Sequence, residues 1–334
     1  MNAKDRLRQD AEIAKLKHKL GDTTAKYKQA VKAIATLERE VDAHRVIKPI
    51  QASVIKPTLK PSESEATAIV VLSDWHYEEE VRSASVSGLN RFNLQIADRR
   101  IEQTFVVAGK MVKIFERDIP ITHVVVCLLG DFITSNIHEE CVETAQLLPM
   151  EAIMAVQKRI VDGLQYLLDT LPNHRFTVVC KGGNHTRITH KQRHATESGN
   201  SLETYMYSAI GKSFADDRIR FVSEDGYLGY LDIYNWRICY HHGHSIKYGG
   251  GIGGIFIPAF KAIGQWNKMR WADLHLFGHF HAHKDGGSFL CNGSLIGYSA
   301  YALSIKADFE KPKQLFFLMD KLRGKTVTCP IVLD

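Results

Sequence analysis

Five short apolar runs in this chain each end abruptly in a cluster of Asp, Asn or His, and no other feature restricts the fold as much. Val70-Val71-Leu72-Ser73 leads to Asp74-Trp75-His76, and Val124 to Leu129 leads to Gly130-Asp131. Val178-Val179-Cys180 leads to Lys181-Gly182-Gly183-Asn184-His185. Ile238-Cys239-Tyr240 leads to His241-His242-Gly243-His244, and Leu274-His275-Leu276-Phe277 leads to Gly278-His279-Phe280-His281. Short apolar runs separated by amphipathic stretches read as strands. Strand candidates are therefore Ala68–Ser73, His123–Leu129, Phe176–Cys180, Arg237–His241 and Leu274–Phe277. Amphipathic stretches near 94–116, 146–170 and 201–215 separate the first four, an alternation that indicates an α/β domain with helices flanking the sheet. Gly229–Ile233, Ser288–Cys291 and Gln314–Met319 read as further strands. In such sheets ligands bind at the carboxyl ends of strands, so five polar strand ends would converge on one crevice.

The N-terminal part is different. Residues 2–45 lack Pro and are rich in Ala, Lys, Glu, Gln and Leu. With Ile13 as heptad position a, the a series runs Ile13, Leu20, Tyr27, Ile34, Val41 and the d series Leu16, Thr23, Ala30, Leu37. Four sustained heptads favour a coiled coil, and hence a homo-oligomer or a handle for a protein partner, over a solvated helix packed on its own domain. Gly21, Thr23 and Ala30 weaken the pattern. Pro49, Pro57 and Pro61 mark a linker over 46–66, which leaves 1–45 as the helix and 67–334 as the domain that carries the five clusters. Residues 1–60 hold 14 of the 43 Lys and Arg but only 7 of the 37 Asp and Glu. The basic excess thus lies wholly in this segment, and the remainder carries one net negative charge.

No apolar run approaches the roughly 20 residues of a membrane helix. Asp5, Asp10 and Glu12 interrupt any signal-peptide core. Six scattered cysteines without a C-x-x-C pair read as reduced, mostly buried thiols. Together these lead us to expect a cytoplasmic protein without a membrane partner.

The chemistry of the five clusters is that of metal ligation. Asp74 and His76 alternate at period two, so one extended segment can aim both inward. Carboxylate, imidazole and amide oxygen suit Mn²⁺, Zn²⁺, Fe²⁺ and Ni²⁺, and a carboxylate such as Asp131 can bridge two ions about 3.5–4 Å apart. The glycines before Asp131, Asn184 and His279 allow sharp turns.

The order D-x-H, G-D, G-N-H, H-G-H, G-H-x-H from Asp74 to His281 resembles the signature of the calcineurin-like metallophosphoesterases. The resemblance implies a β-sandwich flanked by helices in a four-layer αββα arrangement, and two divalent ions, Mn²⁺ first among them. It implies that Asp74, His76 and His281 hold one ion, that Asn184, His242 and His279 hold the other, and that Asp131 bridges. It further implies that a metal-bridging hydroxide attacks phosphorus while His185 protonates the leaving oxygen. The ligand in the fourth cluster is taken as His242 because the family pattern places it directly before the glycine; His244 would line the site, and His241 would face the other side of the strand.

One departure stands out. The family commonly has Asp or Glu after G-N-H to orient the histidine, and here Thr186 stands there. Either another carboxylate, such as Glu139 or Glu140, takes that task, or His185 is less polarised. Arg187 can contact phosphate with its planar donor fork, or be an ordinary surface arginine. His138, His190, His194, His275 and His283 read as surface or supporting groups.

Three features favour a nucleic-acid substrate over a phosphomonoester, nucleotide or phosphoprotein. Arg187, His190, Lys191, Arg193 and His194 form a basic stretch just past His185. The N-terminal segment adds seven net positive charges. Trp75, Tyr77, Trp266 and Trp271 offer stacking faces, or are core aromatics. N-H-T-R, with I-H-E-E after the G-D, also resembles phage-encoded phosphoesterases of the repair-exonuclease type. Gly249 to Gly254 would be a mobile loop over the site or a tight turn before a helix. An inactive scaffold, the remaining alternative, would be expected to lack ligands, and here every position is filled.

Overall fold

The computed structural model describes residues 3–46, 64–248 and 253–334, which fall in two units, 1–60 and 61–334. The linker expected over 46–66 lies almost wholly outside the described residues, as do positions 249–252 of the glycine run. Among the described residues no helix is long and apolar enough to cross a membrane.

In the first unit, α1 (Ala3–Val46) is a single helix of 44 residues. At 1.5 Å per residue it extends about 66 Å. Its heptad residues are exposed, from 46% at Ile13 to 70% at Tyr27.

The second unit begins with β1 (Ala66–Leu72), α2 (Leu94–Phe115), β2 (Ile121–Leu128), α3 (Glu139–Thr144), α4 (Pro149–Thr170) and β3 (Arg175–Cys180). It continues with α5 (Leu202–Lys212), β4 (Ile219–Ser223), β5 (Gly229–Ile233), β6 (Trp236–Tyr240), α6 (Phe256–Trp266) and β7 (Leu274–Phe277). The last elements are β8 (Lys284–Asp285), β9 (Phe289–Cys291), α7 (Ala300–Ser304), β10 (Lys313–Asp320) and β11 (Gly324–Val332). A six-stranded sheet has the order β11-β10-β1-β2-β3-β4, and a five-stranded sheet the order β5-β6-β7-β9-β8. β1 to β4 run parallel, and β10 and β11 close one edge antiparallel. In the second sheet β6, β7 and β9 are parallel.

Alternate residues of the central strands enter different cores. Ala68, Val70, Leu72, Val124, Val126 and Val178 pack with Phe105 and Ile101 of α2, Ile153 and Leu164 of α4, and Met206 of α5. Their neighbours Ile69, Val71, Val125, Cys127 and Val179 pack with Ile238, Tyr240, Leu274, Leu276 and Leu290 of the second sheet. Phe277, Phe289 and Cys291 then pack with Ala259 and Ile263 of α6. A strand apolar on both faces is what the unbroken Val and Ile runs require.

Every strand run named from the sequence is present, with ends that agree to within two residues. β4, β8 and β11 are additions. α3 and α7 are additions too, whereas α6 begins two residues after Gly254, where a helix is one of the two readings.

Candidate metal centre

Asp74 and His76 follow β1, Asp131 follows β2, and Asn184 and His185 follow β3. His242 follows β6, while His279 and His281 follow β7. The five strand ends thus belong to two sheets rather than one. They bring together three overlapping groups: Asp74, His76 and His281; His76, Asp131 and His185; and Asp131, His242 and His279. Within each group the candidate ligand atoms lie within 4.8 Å of one another. His281 Nε2 is 3.1 Å from His76 Nε2 and 3.5 Å from Asp74 Oδ1.

Two further observations fit these residues to metal ions. The His242 Nδ1–H donates to the Leu129 carbonyl at 2.7 Å, which leaves Nε2 a lone pair facing Asp131 Oδ2 at 2.8 Å. Two acceptors that close need a shared proton or a cation between them. The buried Asn184 Oδ1, in turn, has no hydrogen-bond partner among the described residues. A buried amide oxygen left unpaired is costly unless a ligand takes it up.

The backbone is bent to make this possible. Asp74 (φ 54°), His76 (48°), Asp131 (54°), His279 (70°) and His281 (53°) all occupy the left-handed region. For residues other than Gly this conformation costs of order 1 kcal/mol or more each, and it clusters at functional sites. Glycines make room for these turns. A Cβ on Gly130 would strike the backbone of Gly183, one on Gly183 would strike Asp131, and one on Gly278 would strike Asp74. Of the three, only Gly130 also needs a positive φ, at 86°; close approach is the reason for the other two.

Buried polar groups hold the loops. Asp74 accepts the His279 N–H on both oxygens, at 2.9 and 3.0 Å, and the Ser73 hydroxyl at 2.5 Å. Gln314 accepts from the Ser73 N–H and the Trp75 indole, fixing the end of β1. Glu203, fully buried on α5, accepts Phe132 N–H at 2.8 Å and Gly183 N–H at 2.7 Å, so one carboxylate ties the Asp131 loop to the Asn184 loop. Glu78 takes the Thr134 and Ser135 N–H groups. The Thr134 hydroxyl donates to Glu79 and accepts the His76 Nδ1–H at 3.0 Å, which turns His76 Nε2 towards the site. Tyr227 accepts the Gly243 and Ser245 N–H groups and steadies the His242–His244 turn.

Burial keeps three of the imidazoles neutral, the form in which histidine can ligate. It holds His76 and His279 well below the ordinary histidine value and His281 down at about 4. Burial raises Asp74 to about 7 and Glu203 to about 7. Asp131 and His242 are a coupled pair. Burial opposes charge on both, but their mutual attraction outweighs it, leaving Asp131 well below its ordinary value and His242 at about 10. A divalent cation would hold Asp131 ionised in the same way and displace the proton from His242.

His185 sits half-buried beside His76, with ring centroids 4.8 Å apart. Its backbone N–H donates to Asp131 Oδ1 at 2.8 Å, and its Nδ1–H donates to the Thr134 carbonyl at 2.9 Å. A backbone carbonyl therefore orients this ring, in place of the Glu139 or Glu140 carboxylate considered from the sequence. Thr186 is buried and bonds Ser201. Arg187 folds back to donate to the Asn184 carbonyl at 2.6 Å. His244 lies 5.6 Å from the His242 ring and pairs with Glu197 at 3.1 Å; Gln192 also bonds Glu197. Lys191 and Arg193 flank Gln192 and are exposed, outside the three ligand groups. Of the aromatics, Trp75 and Tyr77 are buried, Trp266 packs on His241 and His275, and Trp271 is 64% exposed. His241 is buried against Phe277 and bonds Tyr227. Glu203, Thr134, Glu78, Glu79, Gln314 and Tyr227 escaped the sequence reading, since each reaches the site through the fold and belongs to no local motif.

No protein-family model and no curated protein matches the chain. Among solved structures it is similar to Vps29 from Chaetomium thermophilum, at 10% identity and a TM-score of 0.31, over 80% of this chain and 98% of that one. It is also similar to the hypothetical protein PH1004 from Pyrococcus horikoshii OT3, at 12% identity and a TM-score of 0.38, over 80% and 89%. The protein of unknown function AQ665 from Aquifex aeolicus matches at 15% identity and a TM-score of 0.27, over 68% and 89%.

Proposed function

We propose that this chain is a two-metal phosphoester hydrolase of the calcineurin-like type, and that its substrate is a nucleic-acid phosphodiester. The observation that carries the hydrolase reading is the meeting of Asp74, His76, Asp131, His242, His279 and His281 in overlapping groups, with the unpaired Asn184 oxygen as the seventh donor. In this reading the three cores correspond to a four-layer αββα sandwich, and the site opens where the ends of both sheets meet. Asp74, His76 and His281 would hold one divalent ion, Asn184, His242 and His279 the other, and Asp131 both, with Mn²⁺ first among the candidates. Such ions, when bound, lower the pKa of water and neutralise phosphoryl charge.

The remaining chemistry falls to side chains. His185, fixed through Nδ1, presents Nε2 as the atom that in its protonated form gives a proton to the leaving oxygen, a step worth roughly 10²–10⁴-fold. Arg187 holds the Asn184 carbonyl and thereby the loop that carries both donors.

The nucleic-acid reading rests on the segment after His185. Exposed Lys191 and Arg193 stand on a strap hooked to the site through Gln192, Glu197 and His244, so backbone phosphates can be followed away from the reacting one. A Mn²⁺-supplemented assay comparing plasmid, single-stranded DNA, RNA, and para-nitrophenyl phosphomono- and diesters tests the proposal. Cleavage of polynucleotide with a steep loss of affinity in salt supports it. Preference for the monoester with little salt dependence replaces it with a phosphomonoesterase.

A further inference from the structure

We infer that α1 pairs with the α1 of a second copy of this chain as an antiparallel two-stranded coiled coil. The helix runs unbroken from Ala3 to Val46, and Leu16, Leu20, Tyr27, Ile34, Leu37 and Val41 on its heptad seam are all exposed. An apolar seam of that length calls for a partner helix, and the sequence of the seam selects which one.

Volume sets the direction. A parallel pair stacks each seam residue on itself, which opposes Tyr27 to Tyr27 and leaves a void at Ala30 against Ala30. An antiparallel pair related by a two-fold axis between Lys28 and Gln29 opposes Tyr27 to Ala30, Thr23 to Ile34, Leu20 to Leu37, and Leu16 to Val41. Large then meets small in the middle layers, and aliphatic meets aliphatic outside them. Because the contact is isologous, each of these layers occurs twice.

Charge sets the same direction and register. In that arrangement Lys17 flanks Glu38 of the second copy, Lys19 flanks Glu40, and Asp10 flanks Arg45, each twice by symmetry. A parallel pair gains only Glu12 with Lys17 and Glu40 with Arg45, and loses the volume match. Flanking charges of this kind are what fix partner orientation in coiled coils.

The test uses the full chain. Sedimentation should show a dimer. Lys17→Glu with Lys19→Glu in one variant, and Glu38→Lys with Glu40→Lys in another, should each weaken self-association. Their equimolar mixture should recover a dimer at least about tenfold tighter than either variant alone, from modest gains at several exposed pairs. A spin label at Lys15 should report a distance of about 40 Å across the dimer, against less than about 20 Å for a parallel pair, from a rise of 1.5 Å per residue. A wild-type monomer, a mixture no tighter than its components, or the short label distance would each overturn the inference.

Discussion

The rim of the six-stranded sheet supplies both carboxylates, the carboxamide, His76 and His185, whereas the rim of the five-stranded sheet supplies only imidazoles. Their supports differ as well. The first set of loops is held by buried charged and amide groups, Glu78, Glu203 and Gln314. The second is held partly by the Tyr227 hydroxyl and partly by the first sheet itself, since His242 donates to Leu129 and the His279 N–H donates to Asp74. The first rim is thus a preformed cup that carries the carboxylates, and the second docks imidazoles onto it. That division predicts where substitutions will do most harm.

The largest effect should follow loss of the residue shared between the groups. Asp131→Asn keeps the shape but removes the charge facing His242, and its single remaining oxygen cannot serve both His242 and the His185 N–H. Turnover should fall by at least about 10³-fold, near the upper end for one electrostatic group. Near-normal turnover would break the division between cup and donors. Next, His185→Ala should cost roughly 10²–10⁴-fold in rate while leaving metal affinity close to wild type. A variant that instead fails to bind metal would make His185 a ligand, not an acid.

Supports should matter unequally. Glu203→Gln turns an amide N–H₂ towards one of two backbone N–H donors, and should weaken metal binding by about 10–100-fold, the scale for groups behind the ligands. Tyr227→Phe removes the acceptor of two backbone N–H groups on the dependent rim and should cost less than Glu203→Gln by calorimetric titration with Mn²⁺. Equal losses would erase the asymmetry between the sheets.

The smallest effect is in pH. Burial raises Asp74 to about 7 in the metal-free protein, so a proton competes with the cation below that pH. Affinity should therefore rise as pH increases towards 7, by at most about tenfold per unit for one displaced proton, and this component should flatten above it. Affinity that is flat from pH 5 to 8 would remove Asp74 from the ligand set.

The cup and its partners were unequally legible in the sequence. Each ligand cluster stood out because a largely apolar run gives way within a few residues to Asp, Asn or His. The strands were legible for the same reason, whereas β4 and β11 were not: Arg220 interrupts one, and Pro330 interrupts the other. α6 was hidden by the glycines before it and by Pro258 within its first turn. The supports were illegible on principle. Gln314 meets Ser73 from 241 positions away and Glu203 meets Phe132 from 71, distances at which no local period carries information. The orientation of His185 was illegible because its partner is a backbone carbonyl, which any residue could supply. The left-handed turns at five non-glycine residues leave no mark in the sequence at all.

The most direct measurement is an anomalous diffraction map from crystals grown with Mn²⁺. Two peaks per chain should be found, one within reach of Asp74, His76, Asp131 and His281, the other within reach of Asp131, Asn184, His242 and His279. A map with no peak at the meeting of the two sheets, or with bound manganese only elsewhere, would contradict the account.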